Sequence, residues 1–247
     1  MRPYADDTTV MKTISIIIPT YNEANTIREV LERVTKAPLP GWQKEIIVVD
    51  DGSVDTTAAI LKKWKDRVTV VNLLRNQGKG AAVTAGLRRA TGDIVLIQDA
   101  DLEYSPDDYP TLLAPFENDR VTAVYGSRFL GSHLSTMFVY ALGNKFVTFV
   151  TNILYNTNIT DMETGYKAFR RAAVKDFDIK AKRFDFEPEI TVKLLRSGHQ
   201  IYEVPISYFG RKFEEGKKLT WRDGIVALVT LIKYRWWKPA SSMKGRS

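Results

Sequence analysis

Apolar runs and amphipathic runs alternate along the first half of the chain. Ile14, Ile16, Ile17 and Ile18 form a β-branched run that Pro19 ends, the pattern of a buried strand. From about Asn25 the apolar positions Ile27, Val30, Leu31 and Val34 fall on one helical face. Residues 45–51 read as a second buried strand, and a helix follows that either Ser53 or Asp55 caps. Residues 68–74 predict a third strand, 78–90 a glycine-led helix, 93–99 a fourth strand, 106–117 a helix and 121–128 a fifth strand. Strands separated by helices of roughly 10–15 residues predict a parallel sheet covered on both faces. No internal repeat or low-complexity linker interrupts the pattern. The expectation is one α/β domain over residues 12–237, with tails at 1–11 and 238–247 and a change of character near residue 130.

Two later segments are of a different kind. Residues 138–156 carry a single charge, Lys145. Phe138, Leu142, Phe146, Phe149 and Ile153 form one stripe, and Asn144, Thr148, Thr151 and Tyr155 form an uncharged polar stripe opposite. Such a helix either packs in the core or lies in a membrane interface. Asn144, Lys145 and Asn152 argue against a span. Residues 224–238 end in Lys233, Tyr234, Arg235, Trp236, Trp237 and Lys238, the mixture of aromatic and basic groups that a lipid headgroup layer favours. Together the two segments favour peripheral membrane contact.

Composition narrows the picture. A hydrophobic content of 44% and a charged content of 26% belong to a folded protein. The absence of cysteine excludes disulfides and thiolate metal sites and favours a reducing compartment. The 2 histidines leave oxygen ligands for any metal. A formal net charge of +7 suits nucleic acid, anionic membrane or phosphorylated small molecules, without choosing among them. Residues 1–12 hold no apolar core of a signal peptide, and no apolar window of about 18 residues predicts a membrane span.

Ligands of open parallel sheets bind outside the carboxyl ends of the strands. Polar clusters fall at those ends: Pro19 to Glu23, Asp50 to Ser53, Asp99 to Asp101, and Gly126 to Arg128. The fold would bring them to one rim. Asp99, Asp101 and Glu103 alternate along an extended segment, which aims their carboxylates at one point. A hard divalent cation, Mg2+ or Mn2+, would relieve their repulsion. The competing reading is a solvated acidic loop capping the helix at Pro106. Lys79, at the start of the glycine-led helix, suits an anion or is a surface lysine after a tight turn.

The stretches SIIIPTYNEANTI, EIIVVDDGSVDTT, NQGKGAAVTAGLRRATGDIVLIQDADLEY and VYGSRF resemble, in order, the motifs of the inverting family 2 glycosyltransferases. DMETGYKAFRR, FDFEPEI and IYEVPISYFGRKFEEGKKL resemble the polyprenyl-phosphate sugar synthase branch, typified by dolichol-phosphate mannose synthases. The resemblance covers residues 12–219. It implies a GT-A (Rossmann-like) α/β fold: a mostly parallel central sheet, helices on both faces and C-terminal amphipathic helices. Residues 12–130 would be the nucleotide-sugar half and 131–237 the acceptor and membrane-facing half.

Site roles follow from the same resemblance. Pro19, Tyr21 and Glu23 would hold the ribose and base edge, and Val48 and Asp50 the base. Asp99 and Ala100 would line the nucleotide pocket. Asp101 and Glu103, with Asp99 behind them, would meet the metal, although family members often carry Gln at the position of Glu103. Arg128, Arg211 and the pair Lys217/Lys218 would surround phosphates, and Asp101, Arg128 and Arg211 would carry catalysis. The family's Ser-Lys-Leu reads Gly216-Lys217-Lys218-Leu219 here. Counting from Arg211 assigns Lys217 to the donor, whereas aligning on Leu219 favours Lys218, assigned to the acceptor. Asp161 and Glu189 are the acidic candidates on the acceptor side.

The implied reaction is inverting transfer of a sugar from a nucleotide-diphosphate sugar, of GDP-mannose or UDP-glucose type, to dolichyl or undecaprenyl phosphate. It would occur at the cytoplasmic face of a membrane, reached through the helices or through a membrane-anchoring partner protein. An acceptor phosphate is already ionised and needs no strong base. A sugar hydroxyl acceptor, the first alternative, would need one, and Asp161 or Glu189 would supply it. A non-catalytic nucleotide-binding protein is the second alternative. The processive signature Gln-x-x-Arg-Trp is absent. The basic residues are dispersed and no RNA-binding module is recognisable, so no nucleic-acid partner is expected.

Overall fold

A computed structural model describes residues 11–131, 138–210 and 221–239. Strands β1 (Lys12–Thr20), β2 (Trp42–Asp50), β3 (Thr69–Asn72) and β4 (Ile94–Ile97) pair in parallel, with Ile16 opposite Ile46 and Ile14 opposite Ile94. Their apolar runs are explained by burial on both faces. Ile14, Ile16 and Ile18 meet Val30, Leu31 and Val34 of α1 (Ile27–Lys36), while Ile17, Ile47, Val49 and Val95 lie under α3 (Lys79–Arg89). Each fully buried side chain of this kind contributes about 1.5–3 kcal/mol relative to exposure. Gly86 lets α3 sit on the sheet, because a Cβ there would collide with the Ile17 side chain.

Helix α2 is shorter than its pattern predicts, Thr57–Lys62. The Asp55 carboxylate accepts from the Thr57 N–H at 2.9 Å, whereas the Ser53 hydroxyl is used by the Asn22 N–H. The helix expected over residues 106–117 is broken into two 3-10 turns, Pro106–Asp108 and Ala114–Glu117, flanking α4 (Tyr109–Leu113). Pro110 and Pro115, which lack a donor N–H, lie in the broken segments.

The second half completes the same sheet in the order β3-β2-β1-β4-β6-β5-β7. Strand β5 (Ala123–Ser127) runs parallel to β7 (Ile201–Pro205), and β6 (Lys167–Arg170) lies antiparallel between β4 and β5. Neither β6, β7 nor the helices α6 (Arg171–Val174) and α7 (Phe186–Arg196) stand out in the sequence. In β6 a buried lysine interrupts the apolar run, with the Lys167 ammonium donating to the Met162 and Thr164 carbonyls over the Tyr125 ring. Helix α7 buries Glu187, Glu189 and Lys193 along with its apolar residues, so it shows no amphipathic stripe.

Helices α5 (Phe138–Tyr155) and α8 (Trp221–Lys233) pack on each other beside α7. Helix α5 is inside out. Thr148 and Thr151 of its polar stripe are buried, while the apolar stripe faces outward, from 54% exposed at Leu142 and Phe146 to 76% at Phe138. Helix α8 buries Ala227 and Leu231 and exposes Ile225, Val226, Val229 and Ile232. Among the described residues no helix is long and apolar enough to cross a membrane.

Candidate active site

The strand ends meet at one rim because β1 and β2 stop together, Thr20 opposite Asp50. The loops that follow are laced to each other. Asn22, in the left-handed region at φ 52°, donates its N–H to the Ser53 hydroxyl, and its side-chain oxygen accepts from the Val54 N–H. Asp50 accepts from the Ser53 N–H at 3.0 Å, and the two oxygens of Asp51 accept from Gln77 and Gly78 at 2.9 and 2.7 Å. Pro19, Tyr21 and Glu23 thus stand across from Asp50 on a cross-linked shelf. Val48 does not reach it: its side chain is wholly inside the core on the α1 side.

After β4 the buried Gln98 side chain fixes the next loop. Its amide donates to the Asp99 and Tyr104 carbonyls, and its oxygen accepts from the Tyr109 and Tyr166 hydroxyls. The loop is not extended as expected. Leu102 sits at φ 64° and reverses it, and the Glu103 N–H closes a turn on the Asp101 carboxylate at 3.1 Å. The three carboxylates therefore do not converge: among the described residues no group of three or more acidic or histidine side chains forms a metal cage. Asp99 is turned to Lys79, at 2.8 and 2.9 Å to its two oxygens, and a Glu103 oxygen accepts from the Tyr208 hydroxyl at 2.8 Å. Mg2+ and Mn2+ are held by one or two carboxylates together with substrate phosphate and water, so the donor set of Asp101 and Glu103 on one turn fits such an ion once a diphosphate is bound.

Lys79, the first residue of α3, is a half-buried brace between two carboxylates. It also pairs with Glu187 of α7 at 3.1 Å. Burial works against its charge, but Asp99 and Glu187 outweigh it and hold the ammonium above its ordinary range. Gly165 is required beside this pair, since a Cβ would collide with Asp99 Oδ2 and lie 3.0 Å from the lysine nitrogen. Next to it, burial and then Glu187 push the Glu163 carboxyl up to about 8. Burial lowers Lys167, against the pull of Glu187 and Glu163. The cations Lys79, Lys167 and Arg128 face the carboxyls of Asp99, Asp161, Glu163 and Glu187, so a proton on Glu163 leaves the group balanced. Buried unpaired charge is costly enough to make that balance decisive.

Arg128 leaves the end of β5 and is clamped by Asp161, with Nε to Oδ2 at 2.7 Å and Nη2 to Oδ1 at 2.8 Å. Asn144 of α5 donates to the same carboxylate at 3.1 Å. Burial alone would raise Asp161, but the Arg128 guanidinium holds it below the ordinary carboxylate range. The guanidinium also lies over the Tyr208 ring, 5.2 Å from its centre. Glu189 sits inside α7, where it accepts from the Lys180 and Ala181 N–H groups and from Lys193. Its carboxylate fixes the chain turn that covers Gly78 and Gly80, whose Cβ positions are filled by the Lys182 and Ala181 carbonyls. Ala100 is buried beside the acidic turn. Arg211, Lys217 and Lys218 lie outside the described residues.

Cross-linked loops at the sheet's carboxyl rim, an acidic turn and a clamped arginine are consistent with a sugar-nucleotide enzyme. The model of Glycosyl transferase family 2 matches residues 15–177. The chain belongs to that family. This glycosyltransferase is 30% identical over 237 residues to the undecaprenyl-phosphate mannosyltransferase of Micrococcus luteus, covering 89% of this chain and 92% of that one. It is 30% identical over 217 residues to the UDP-N-acetylglucosamine–dolichyl-phosphate N-acetylglucosaminyltransferase of Methanococcus voltae, 79% and 85% of the respective chains. In fold it is similar to glucosyl-3-phosphoglycerate synthase from Mycobacterium tuberculosis, crystallised with Mn2+, UDP and glucosyl-3-phosphoglycerate. That match has a TM-score of 0.68 at 21% identity and covers 93% of this chain and 82% of the synthase.

Reading the motifs of this glycosyltransferase did not single out Gln98, Glu163, Lys167, Glu187 or Tyr208. The available signal was charge inside otherwise apolar motifs, as in DMETGYK and FDFEPEI. What it lacked was the fold that brings Glu187 to Lys79 and Tyr208 to Glu103.

Proposed function

We propose that this glycosyltransferase moves a hexosyl group, with inversion, from a nucleotide-diphosphate sugar of GDP-mannose or UDP-glucose type to a dolichyl or undecaprenyl phosphate at the cytoplasmic face of a membrane. The observation that carries this reading is the outward apolar face of α5 and α8. Large exposed apolar patches mark surfaces that meet a partner or a membrane. Lys145 and Lys233 flank the stripes with cations, and α5 contains no acidic residue. Lipid is the occupant those helices suit. The same α5 supplies Asn144 to the Asp161–Arg128 clamp, which links the membrane face to the acceptor arginine. The names of the two polyprenyl-phosphate relatives support the acceptor class.

In this reading Pro19, Tyr21, Glu23 and Asp50 hold the nucleoside, and Asp99, Ala100 and Lys79 form the wall behind the diphosphate. Asp101 and Glu103 hold Mg2+ or Mn2+, which supplies Lewis-acid stabilisation of the departing diphosphate. Arg211 and Lys217 assist on the donor side. Arg128 and Lys218 orient the acceptor phosphate, whose ionised oxygen attacks the anomeric carbon as the diphosphate leaves. That oxygen carries no proton at neutral pH, so no side chain must remove one. This suits the engagement of both acidic candidates, Asp161 with Arg128 and Glu189 with Lys180, Ala181 and Lys193. The test is a competition between polyprenyl phosphate and the matching free polyprenol as acceptors. Transfer to the phosphate alone supports the reading, and equal use of the alcohol opposes it.

A further inference from the structure

Tyr208 lies just beyond β7 and joins three walls of the site. Its hydroxyl donates to Glu103 Oε2 at 2.8 Å, on the turn that follows β4. Its ring lies under the Arg128 guanidinium at 5.2 Å, at the end of β5. Its backbone forms an antiparallel bridge with Tyr104, and the next N–H, of Phe209, donates to the Glu103 carbonyl at 3.0 Å. The Tyr104 ring packs on it at 5.4 Å, and the Tyr104 hydroxyl accepts from the Gly165 N–H at 3.0 Å. Burial then tightens the arrangement: Tyr208 is 6% exposed, so the hydroxyl, ring and backbone contacts have little room to move independently. The chain runs on from here directly to Arg211.

A side chain that touches a metal-side carboxylate with one end and an acceptor-side arginine with its face is placed to make the two sides interdependent. We propose that Tyr208 is a positioning residue that couples metal loading at Glu103 to acceptor binding at Arg128. This rests on the reading given under Proposed function. The hydroxyl fixes which way Glu103 presents its remaining lone pairs to the ion. The ring fixes the plane in which Arg128 presents its fork to a phosphate. A ligand that shifts either group shifts Tyr208, and thermodynamic linkage requires the effect to run equally in both directions.

The experiment is a Mn2+ titration of the full chain followed by the electron paramagnetic resonance signal of the free ion. UDP and GDP are tried as the nucleotide, with and without farnesyl phosphate. Wild-type protein, Tyr208→Phe, Glu103→Gln and the double variant are compared. In the wild type, farnesyl phosphate tightens Mn2+ binding, roughly 5-fold or more, the lower end of ordinary coupling. In Tyr208→Phe the Mn2+ affinity falls roughly 10-fold, the size of one hydrogen bond to a charged group, and the effect of farnesyl phosphate disappears. A residue that only stabilises the fold would lower thermal stability without removing that coupling. The double variant loses less than the sum of the single losses, because the two groups act through one contact. Should Tyr208→Phe fold poorly, Glu103→Gln, which takes the charge from the tyrosine's acceptor and so weakens that bond, must still weaken Mn2+ binding and reduce the coupling. Unchanged coupling in Tyr208→Phe, or strictly additive losses, overturns the proposal and leaves the functional reading intact. Absence of any Mn2+ binding by the wild type overturns both.

Discussion

Arg128 and Asp161 meet in a two-point clamp, at 2.7 and 2.8 Å, on a carboxylate that solvent does not reach. Such a pair fixes direction more than it adds stability, because each ion gives up its water to form it. Removing one member leaves the other buried and unpaired. Asp161→Ala is therefore expected to destabilise the protein by about 3–5 kcal/mol. Arg128→Lys keeps the charge but loses the fork. It should melt close to wild type while raising the KM for the acceptor and leaving donor binding unchanged, which melting curves and acceptor titrations would show.

Asp101→Ala should abolish transfer with little change in the fold, since it removes the turn's hydrogen bond from the Glu103 N–H, about 0.5–1.5 kcal/mol, while the Gln98 bonds to the Asp99 and Tyr104 carbonyls remain. Thermal melting and a transfer assay check the two halves of that statement. Activity that survives at ordinary metal concentrations would remove Asp101 from the metal site.

Glu163 makes stability fall as pH rises. Its folded-state carboxyl is raised from 4.5 to about 8, so the folded chain keeps a proton that the unfolded chain has lost. The sign follows from linkage: the contribution is fully present below about pH 4.5 and is lost as pH rises through about 8. Glu163→Gln, neutral at every pH, should flatten that decline. Urea midpoints compared from about pH 5 to 9 measure it. A variant with the same slope as the wild type would show that the decline comes from another group.

Phe146 and Phe149 are more than half exposed on α5, so the double change Phe146→Glu, Phe149→Glu should alter stability by no more than about 0.5 kcal/mol each. It should abolish co-sedimentation with lipid vesicles and transfer to long-chain acceptor, while transfer to farnesyl phosphate in solution persists. Equal loss with both acceptors would place those residues in the catalytic machinery.

The first half of the fold is legible because its strands are buried on both faces. Continuous β-branched runs such as Ile16 to Ile18 have no other use, and their polar ends mark the rim. Periodicity also revealed both stripes of α5, but it does not say which stripe faces out. That depends on partners outside the helix: the Thr148 hydroxyl accepts from the Met162 N–H, Asn144 donates to Asp161, and the Tyr155 hydroxyl donates to the Leu231 carbonyl. Strand β6 and helix α7 were hidden because Lys167, Glu187, Glu189 and Lys193 are buried charges, which a pattern of polar and apolar positions assigns to the surface. The acidic turn was legible as a run of carboxylates off the end of β4 and misleading as geometry. Alternation along 99–103 assumes extended backbone, whereas Leu102 at φ 64° turns the chain, and Lys79 pairs with Asp99 on the α3 side of the loop.

A lipid-phosphate acceptor can be detected directly. The direct measurement incubates the purified enzyme with radiolabelled nucleotide-sugars, Mn2+ or Mg2+, and vesicles carrying a long-chain polyprenyl phosphate, then follows label into the organic phase. The expected result is label in a lipid product that is inverted at the anomeric carbon and appears only when both polyprenyl phosphate and the divalent ion are added. Label confined to water-soluble glycans, with none in the lipid, would contradict it.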